Sequence, residues 1–414
     1  MRTFPHKKPR QTGFSLIELM VSITIGLFLL AGATSLLVTS KGNYQVNDDL
    51  ARIQENARIA MEYLSRDLRM AGYFGCADNI SSVYDHINDP ITGSIYDTSN
   101  PIEGYETDAI DNVWEPSKNA SQIAQIYPGT GTGTIDPNIT NTDAITIRYL
   151  QPSNITLTAA MPQPSAVLKI STPNDLKQGE IVGVTDCSSS DIIQISGPNG
   201  PNIQTTGNLV HNTGNATSPG NINLPTANCP GGAANCLSKI YAPGAQILRF
   251  VAYRYYIGND EDIDEDGDGN PANDGDADNT ADPVLVRAGI NVNGTTAAAL
   301  PVELVDGVER MQITYGIDTT GDRIPDTYIS ANGNSGGTDL KTANGWLNVV
   351  SVRVGLLMAS SEAIATDFDN NTYVVNGLTV CETGNTNAGC NAFHAIDRKR
   401  RKVFTSTILL RNLQ

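Results

Sequence analysis

The chain has 414 residues, with 44 acidic against 27 basic side chains and a formal charge of −17. That balance excludes a general nucleic-acid binder, which needs Lys and Arg clustered against phosphate. Aromatic residues make up only 6%, while Gly, Pro, Asn, Ser and Thr abound, which excludes a helical bundle and suits strands joined by long polar loops.

The first 13 residues form a basic leader with Arg2, Lys7, Lys8 and Arg10 and no acidic residue. Gly13-Phe14-Ser15-Leu16-Ile17-Glu18 follows, and an apolar run continues to about Val38. A secretory signal places its small-residue cleavage site after the apolar run, whereas here Gly13 stands in front of it, so cleavage there keeps the helix. Phe14 to Val38 is long enough to span a bilayer's hydrocarbon core as a helix of roughly 37 Å. One carboxylate, Glu18, lies inside it, at a cost of at least ~2.5 kcal/mol in lipid without a partner. This arrangement resembles the class III signal of type IV prepilins and pseudopilins. The resemblance implies that a prepilin peptidase removes the leader after Gly13, that Phe14 is N-methylated, and that Glu18 pairs with a terminal amine during assembly. Losing the leader's four cations takes the formal charge from −17 to −21. By the positive-inside rule the leader stays cytoplasmic, which puts the chain in the inner membrane as a single-pass protein with a periplasmic C-terminal domain.

Beyond the apolar run, Val46, Leu50, Ile53, Ala57, Met61, Leu64 and Leu68 recur at steps of three and four, the stripe of an amphipathic helix. No proline interrupts Phe14 to Ala71, so one helix of roughly 58 residues is expected, bending at Gly42 and stopping at Gly72. The expected organisation is a leader at 1–13, a helix at 14–71 (membrane-spanning or filament core over 14–38, amphipathic over 39–71) and a β-rich domain at 72–414. From 77 to about 141 the composition predicts a long decorated loop. Strands are expected at 144–150, 166–170, 180–184 and 191–196, then a turn-rich insertion at 197–232. Longer alternating strands follow at 246–257, 311–317, 350–356 and 404–410. The fold class is α+β: a long N-terminal helix packed on an antiparallel sheet.

Six cysteines suit an oxidising compartment. Cys229 with Cys236 and Cys381 with Cys390 read as local clips, leaving Cys76 to meet Cys187. A zinc site fits less well, because no C-x-x-C occurs and His6, His86, His211 and His394 are scattered.

Between Asn259 and Asp282 stand 11 carboxylates and no Lys or Arg. Asp264, Asp266 and Asp268 followed by Gly269 reproduce the first half of an EF-hand loop, with Asp274 or Asp276 in place of the missing bidentate glutamate. Asp318, Asp322 and Asp326 form a second acidic island. Calcium is the expected ligand of both. Gly333-Asn334-Ser335-Gly336-Gly337 carries no base motif, with His211 in a Gly/Asn-rich loop, so no enzyme is expected.

Tyr73-Phe74-Gly75-Cys76 after the helix, Gly307-Val308 leading into 311–316, and the closing Leu409-Leu410-Arg411-Asn412 resemble the PilW-type minor pilins of type IV pili. The resemblance implies a structural subunit of a priming or tip complex, serving pilus assembly, adhesion and twitching motility. Its implied partners are other minor pilins, the major pilin and a tip adhesin, with final residence in the pilus. Two alternatives are a J-type minor pseudopilin of type II secretion and a membrane-tethered calcium-dependent adhesin or binding module. Glu18 counts against the second, since a tether gains nothing from it.

Overall fold

A computed structural model describes residues 15–76, 80–88, 94–107, 114–115, 141–198, 201–213, 217–225, 234–259, 282–293, 296–335, 337–340, 345–361, 363, 367–385, 389–390 and 392–412. The chain divides into two compact units, one ending at Ala51 and one spanning Arg52–Gln414. Helix α1, Leu16–Met70, supplies residues to both.

In chain order the strands are β1 (Val83–Asp85), β2 (Ile102–Thr107), β3 (Trp114–Glu115), β4 (Ala144–Thr156), β5 (Leu168–Lys169), β6 (Ile181–Thr185) and β7 (Ser190–Gln194). A short helix α2 (Asn202–Thr206) precedes β8 (Asn208–Leu209), β9 (Gln246–Asn259), β10 (Pro283–Asn293), β11 (Thr296–Asp306), β12 (Val308–Ile317) and β13 (Thr327–Ile329). The rest are β14 (Asn334–Ser335), β15 (Thr338–Asp339), β16 (Val349–Ala359), β17 (Tyr373–Val375), β18 (Leu378–Glu382), β19 (Ala392–His394) and β20 (Arg401–Leu409).

The larger sheet is organised on β9, which is rich in aromatic and β-branched residues. Its 246–255 stretch pairs antiparallel with β4 on one side. The other side is shared between β6, against residues 246–249, and β10, against residues 253–259. β4 slips register between Gln151 and Ile155, where Pro152 interrupts it, as a residue without an N–H requires. The smaller sheet is antiparallel in the order β13-β12-β16-β20.

Both sheets share one core with the second half of α1. Ile53, Ala57, Ala60, Leu64 and Leu68 are buried among Tyr105, Ile145 and Ile147 of the larger sheet and Met311, Ile313, Val352 and Val354 of the smaller. A separate core of Leu157, Leu168, Leu176, Ile193, Ile203, Leu209 and Tyr241 lies beneath the chain between β4 and β9.

Three expectations need correction. The stretch 77–141 is not wholly loop, because it contains β1, β2 and β3, and Ile102 and Tyr105 of β2 are fully buried. Polar Glu103 and Gly104 between them hid that strand from a pattern reading. The turn-rich 197–232 stretch likewise holds α2 and β8, anchored by Ile203 and Leu209. The hairpin of β10 and β11 was not expected at all; small Ala and Gly residues dilute its alternation.

Candidate functional site

The candidate site is the start of α1 together with the contacts that hold its far end. At the start, the Ser15 backbone N–H donates to the Glu18 carboxylate at 3.0 Å, and the Glu18 N–H faces the Ser15 hydroxyl at 3.3 Å. This reciprocal pair is a capping box: of two amides left over by the first turn, one is satisfied by the only carboxylate of the apolar segment and the other by the Ser15 hydroxyl. From Leu16 to Val38 the large apolar side chains are exposed, and the segment has a mean hydropathy of 2.2, long and apolar enough to cross a membrane. Several hydroxyls here and just beyond are silenced internally. Ser22 donates to the Glu18 carbonyl at 2.7 Å, Thr24 to Met20 at 2.7 Å, Thr34 to Leu30 at 2.9 Å and Thr39 to Ser35 at 2.9 Å. Such back-bonding lets a polar side chain sit in an apolar surround without an open donor. Gly13 and Phe14, on which the processing expectation rests, lie outside the described residues.

The far end is held by a carboxylate that the apolar stripe does not include. Asp67 is completely buried. It accepts hydrogen bonds from the Tyr255 hydroxyl, from Arg66 Nε at 3.1 Å and from the Tyr149 hydroxyl at 3.5 Å, and Arg287 stands 4.0 Å away. Arg287 itself lies over the Tyr253 ring, 4.3 Å from its centre. Burial, followed by the negative charge of Asp67, raises both tyrosine hydroxyls above their usual range, so each remains a donor. A charge at a stripe-adjacent position gave no sign of this; only the aromatic richness of β9 hinted at hydroxyls waiting for a partner.

The chain leaving α1 is stitched down residue by residue. Gly72 N–H donates to the Arg148 carbonyl at 3.0 Å, Leu150 N–H to Tyr73 at 2.6 Å, and the Ser190 hydroxyl to Phe74 at 2.6 Å. Gly75 has φ +93°, and a Cβ there would meet the Thr185 side chain at 2.7 Å, so glycine is required. Cys76 is bonded to Cys187 and Cys381 to Cys390. Cys236 is also disulfide-bonded, while Cys229, its expected partner, lies outside the described residues. Gly307, between β11 and β12, has φ +74° and presses on the Ala359 carbonyl, where a Cβ would come within 2.6 Å. Asn412 donates its side-chain amide to the carbonyls of Arg69 at 3.1 Å and Ala71 at 3.4 Å, closing the C-terminal end of α1.

The acidic loop with Asp264, Asp266, Asp268, Asp274 and Asp276 lies outside the described residues. At the second island the carboxylates turn onto their own loop. Asp318 accepts from the amides of Thr320, Gly321 and Arg323, Asp322 from Ile324, and Asp326 from the Thr319 amide and hydroxyl. Among the described residues no cluster of His, Cys, Asp and Glu is placed to hold a metal ion, so the calcium expected at this island has no described site. His211 is buried with a ring nitrogen 3.1 Å from the Ala166 carbonyl, a structural setting.

An exposed apolar helix that opens on a capping box behind a Gly-Phe junction, and whose second half belongs to a β-sheet domain, defines a membrane-anchored, type IV pilin-like protein. The model of the prokaryotic N-terminal methylation motif matches residues 8–34, and that of type IV pilus-assembly protein W matches residues 255–412. Together the two matches support a type IV pilin-like minor pilin. The second match begins at Tyr255, the partner of Asp67, and ends at Asn412, the residue that closes α1. Searches of curated proteins and of solved structures find no match.

Proposed function

We propose that this chain is a minor subunit of the type IV pilus, processed between Gly13 and Phe14, inserted through its apolar helix into a priming or tip complex, and thereby serving adhesion and twitching motility. The observation that carries the reading is the first half of α1. It is apolar on every side, closes the hydroxyls of Ser22, Thr24 and Thr34 on its own carbonyls, and presents one carboxylate, Glu18, at the first turn. A bilayer anchor gains only a first-turn cap from that carboxylate, a small return for placing a charge in an apolar segment. In a filament, where the neighbouring helices supply the surround, it would pair with the amine freed at Phe14 of an adjacent subunit. The role is structural: the buried Asp67 cluster and the Asn412 amide are spent on positioning the helix and its exit. The partners are other minor pilins and the major pilin, and the protein passes from the inner membrane, with its sheet domain in the periplasm, into the pilus. N-terminal mass analysis of membrane-extracted protein tests this, with loss of 13 residues and one added methyl group expected. Retention of the leader, or cleavage beyond Val38, would overturn it.

A further inference from the structure

The smaller sheet ends on β20, whose nine-residue outer edge pairs with no strand among the described residues. β20 pairs with β16 from Arg401 to Leu409 without a register shift, and no further strand follows it among the described residues. Two flanking bonds fix which backbone groups face outward. Leu410 N–H donates to the Val350 carbonyl and Ser360 N–H to the Arg400 carbonyl, both at 2.9 Å. Even-numbered residues of β20 therefore exchange bonds with β16, and the N–H and C=O groups of Val403, Thr405, Thr407 and Leu409 point away from the sheet. The side chains of Thr405, Thr407 and Leu409 are exposed as well.

Other sheet edges are guarded in familiar ways. β1 and β13 have three residues and β3 has two, while β11 carries Pro301, Glu303 and Asp306 and pairs across a bulge. From Val403 to Leu409 there is no proline, no glycine and no charge. Such an edge is a template for another strand. Charge selects the occupant. Arg398 and Lys402 are exposed at one end of β20 and Arg411 at the other. Antiparallel pairing of two copies through this edge would set cations against cations at both ends, which argues against a second copy.

We propose that the free edge of β20 accepts an extended segment of a different polypeptide as an added strand. That segment is uncharged and β-branched through its pairing residues and acidic at both ends. The inference needs only the globular unit, so it stands whether or not the chain enters a filament.

The test uses the full chain in detergent and the labelled peptide Glu-Glu-Thr-Val-Thr-Val-Thr-Glu-Glu, followed by fluorescence anisotropy. Thr405→Pro and Thr407→Pro each delete an outward N–H and leave the ladder to β16 intact, so both variants should keep the wild-type melt. Each is expected to weaken peptide binding about tenfold, as is alternate N-methylation of the peptide, which needs no change to the protein. A Lys-ended peptide should bind more weakly than the Glu-ended one. Absence of binding at millimolar peptide, equal binding of the N-methylated peptide, or equal binding of the Lys-ended peptide would each overturn the proposal. So would self-association of the chain that both proline variants abolish.

Discussion

The side-chain amide of Asn412 donates to the carbonyl of Arg69, 3.1 Å away and 343 residues earlier in the chain. The last turn of a helix leaves carbonyls without an intrahelical partner, and here the end of the chain supplies the donor that a local cap otherwise would. Asn412→Ala is expected to cost about 1 kcal/mol, seen as a fall of a few degrees in the melting temperature of detergent-solubilised protein. An unchanged melt would show that water caps the helix equally well.

Asp67→Ala should destabilise far more, by about 3–5 kcal/mol, because it strands the hydroxyls of Tyr255 and Tyr149 and leaves Arg287 without its nearest carboxylate. The costs should not add. In the Asp67→Ala background, Tyr255→Phe removes a stranded donor, so the double variant is expected to be no less stable than the single one. A double-mutant cycle by denaturant unfolding reads the coupling, and strict additivity would show that the two groups act independently.

Glu106 and Asp143 give a stability term that runs against the usual direction with pH. Burial raises both carboxyls above their ordinary values, and the charge of Glu106 raises Asp143 further; amide donors from Ala331 and Ile313 oppose this. The folded state therefore binds protons more tightly than the unfolded chain, whose carboxyls have values of 4.5 and 3.8. The associated stability is fully present below those values and is lost as pH rises through the raised folded ones. Glu106→Gln keeps the acceptor for Ala331 and removes the repulsion. Its melting temperature relative to wild type should move upward between pH 4 and pH 7.5, and a difference that is flat or falls across that range would contradict the coupling.

The two described disulfides should differ in worth. Cys76 and Cys187 are 111 residues apart and Cys381 and Cys390 only 9. In the chain-entropy account, losing the first as paired serines costs about 4–5 kcal/mol and losing the second about 2–3 kcal/mol. Chemical denaturation of the two double-serine variants measures the ordering. A larger loss from the 381–390 pair would mean that native packing rather than loop closure sets the effect.

Glu18→Ala is expected to leave the melt of the globular unit unchanged and to remove the protein from sheared pili. The capping box it breaks is worth only about 1 kcal/mol at the first turn. Wild-type levels in the pilus fraction would refute an assembly role for the carboxylate.

The sequence alone determined what depends on local pattern. The apolar run after Gly13 had to be a helix, the stripe through Ile53, Ala57, Leu64 and Leu68 had to face a core, and the alternation in 311–317 and 350–356 had to be strands with one buried face. These signals survive because periodicity is written in neighbouring residues. Only the tertiary structure decided which polar residues are buried, since that depends on partners far apart in the chain. Asp67 lies outside the apolar stripe, and its burial depends on Tyr255, 188 positions later. Asn412 caps α1 only because the fold brings the end of the chain to Arg69. β2 was hidden because Glu103 and Gly104 break its pattern, and both make sense only in three dimensions. Glu103 stands 3.2 Å from the buried Arg148 guanidinium, and a Cβ on Gly104 would fall 2.0 Å from the Tyr315 hydroxyl. The outward face of β20 could not be read from sequence either, because which amides are spent is fixed by register against β16, and register is a property of the pair.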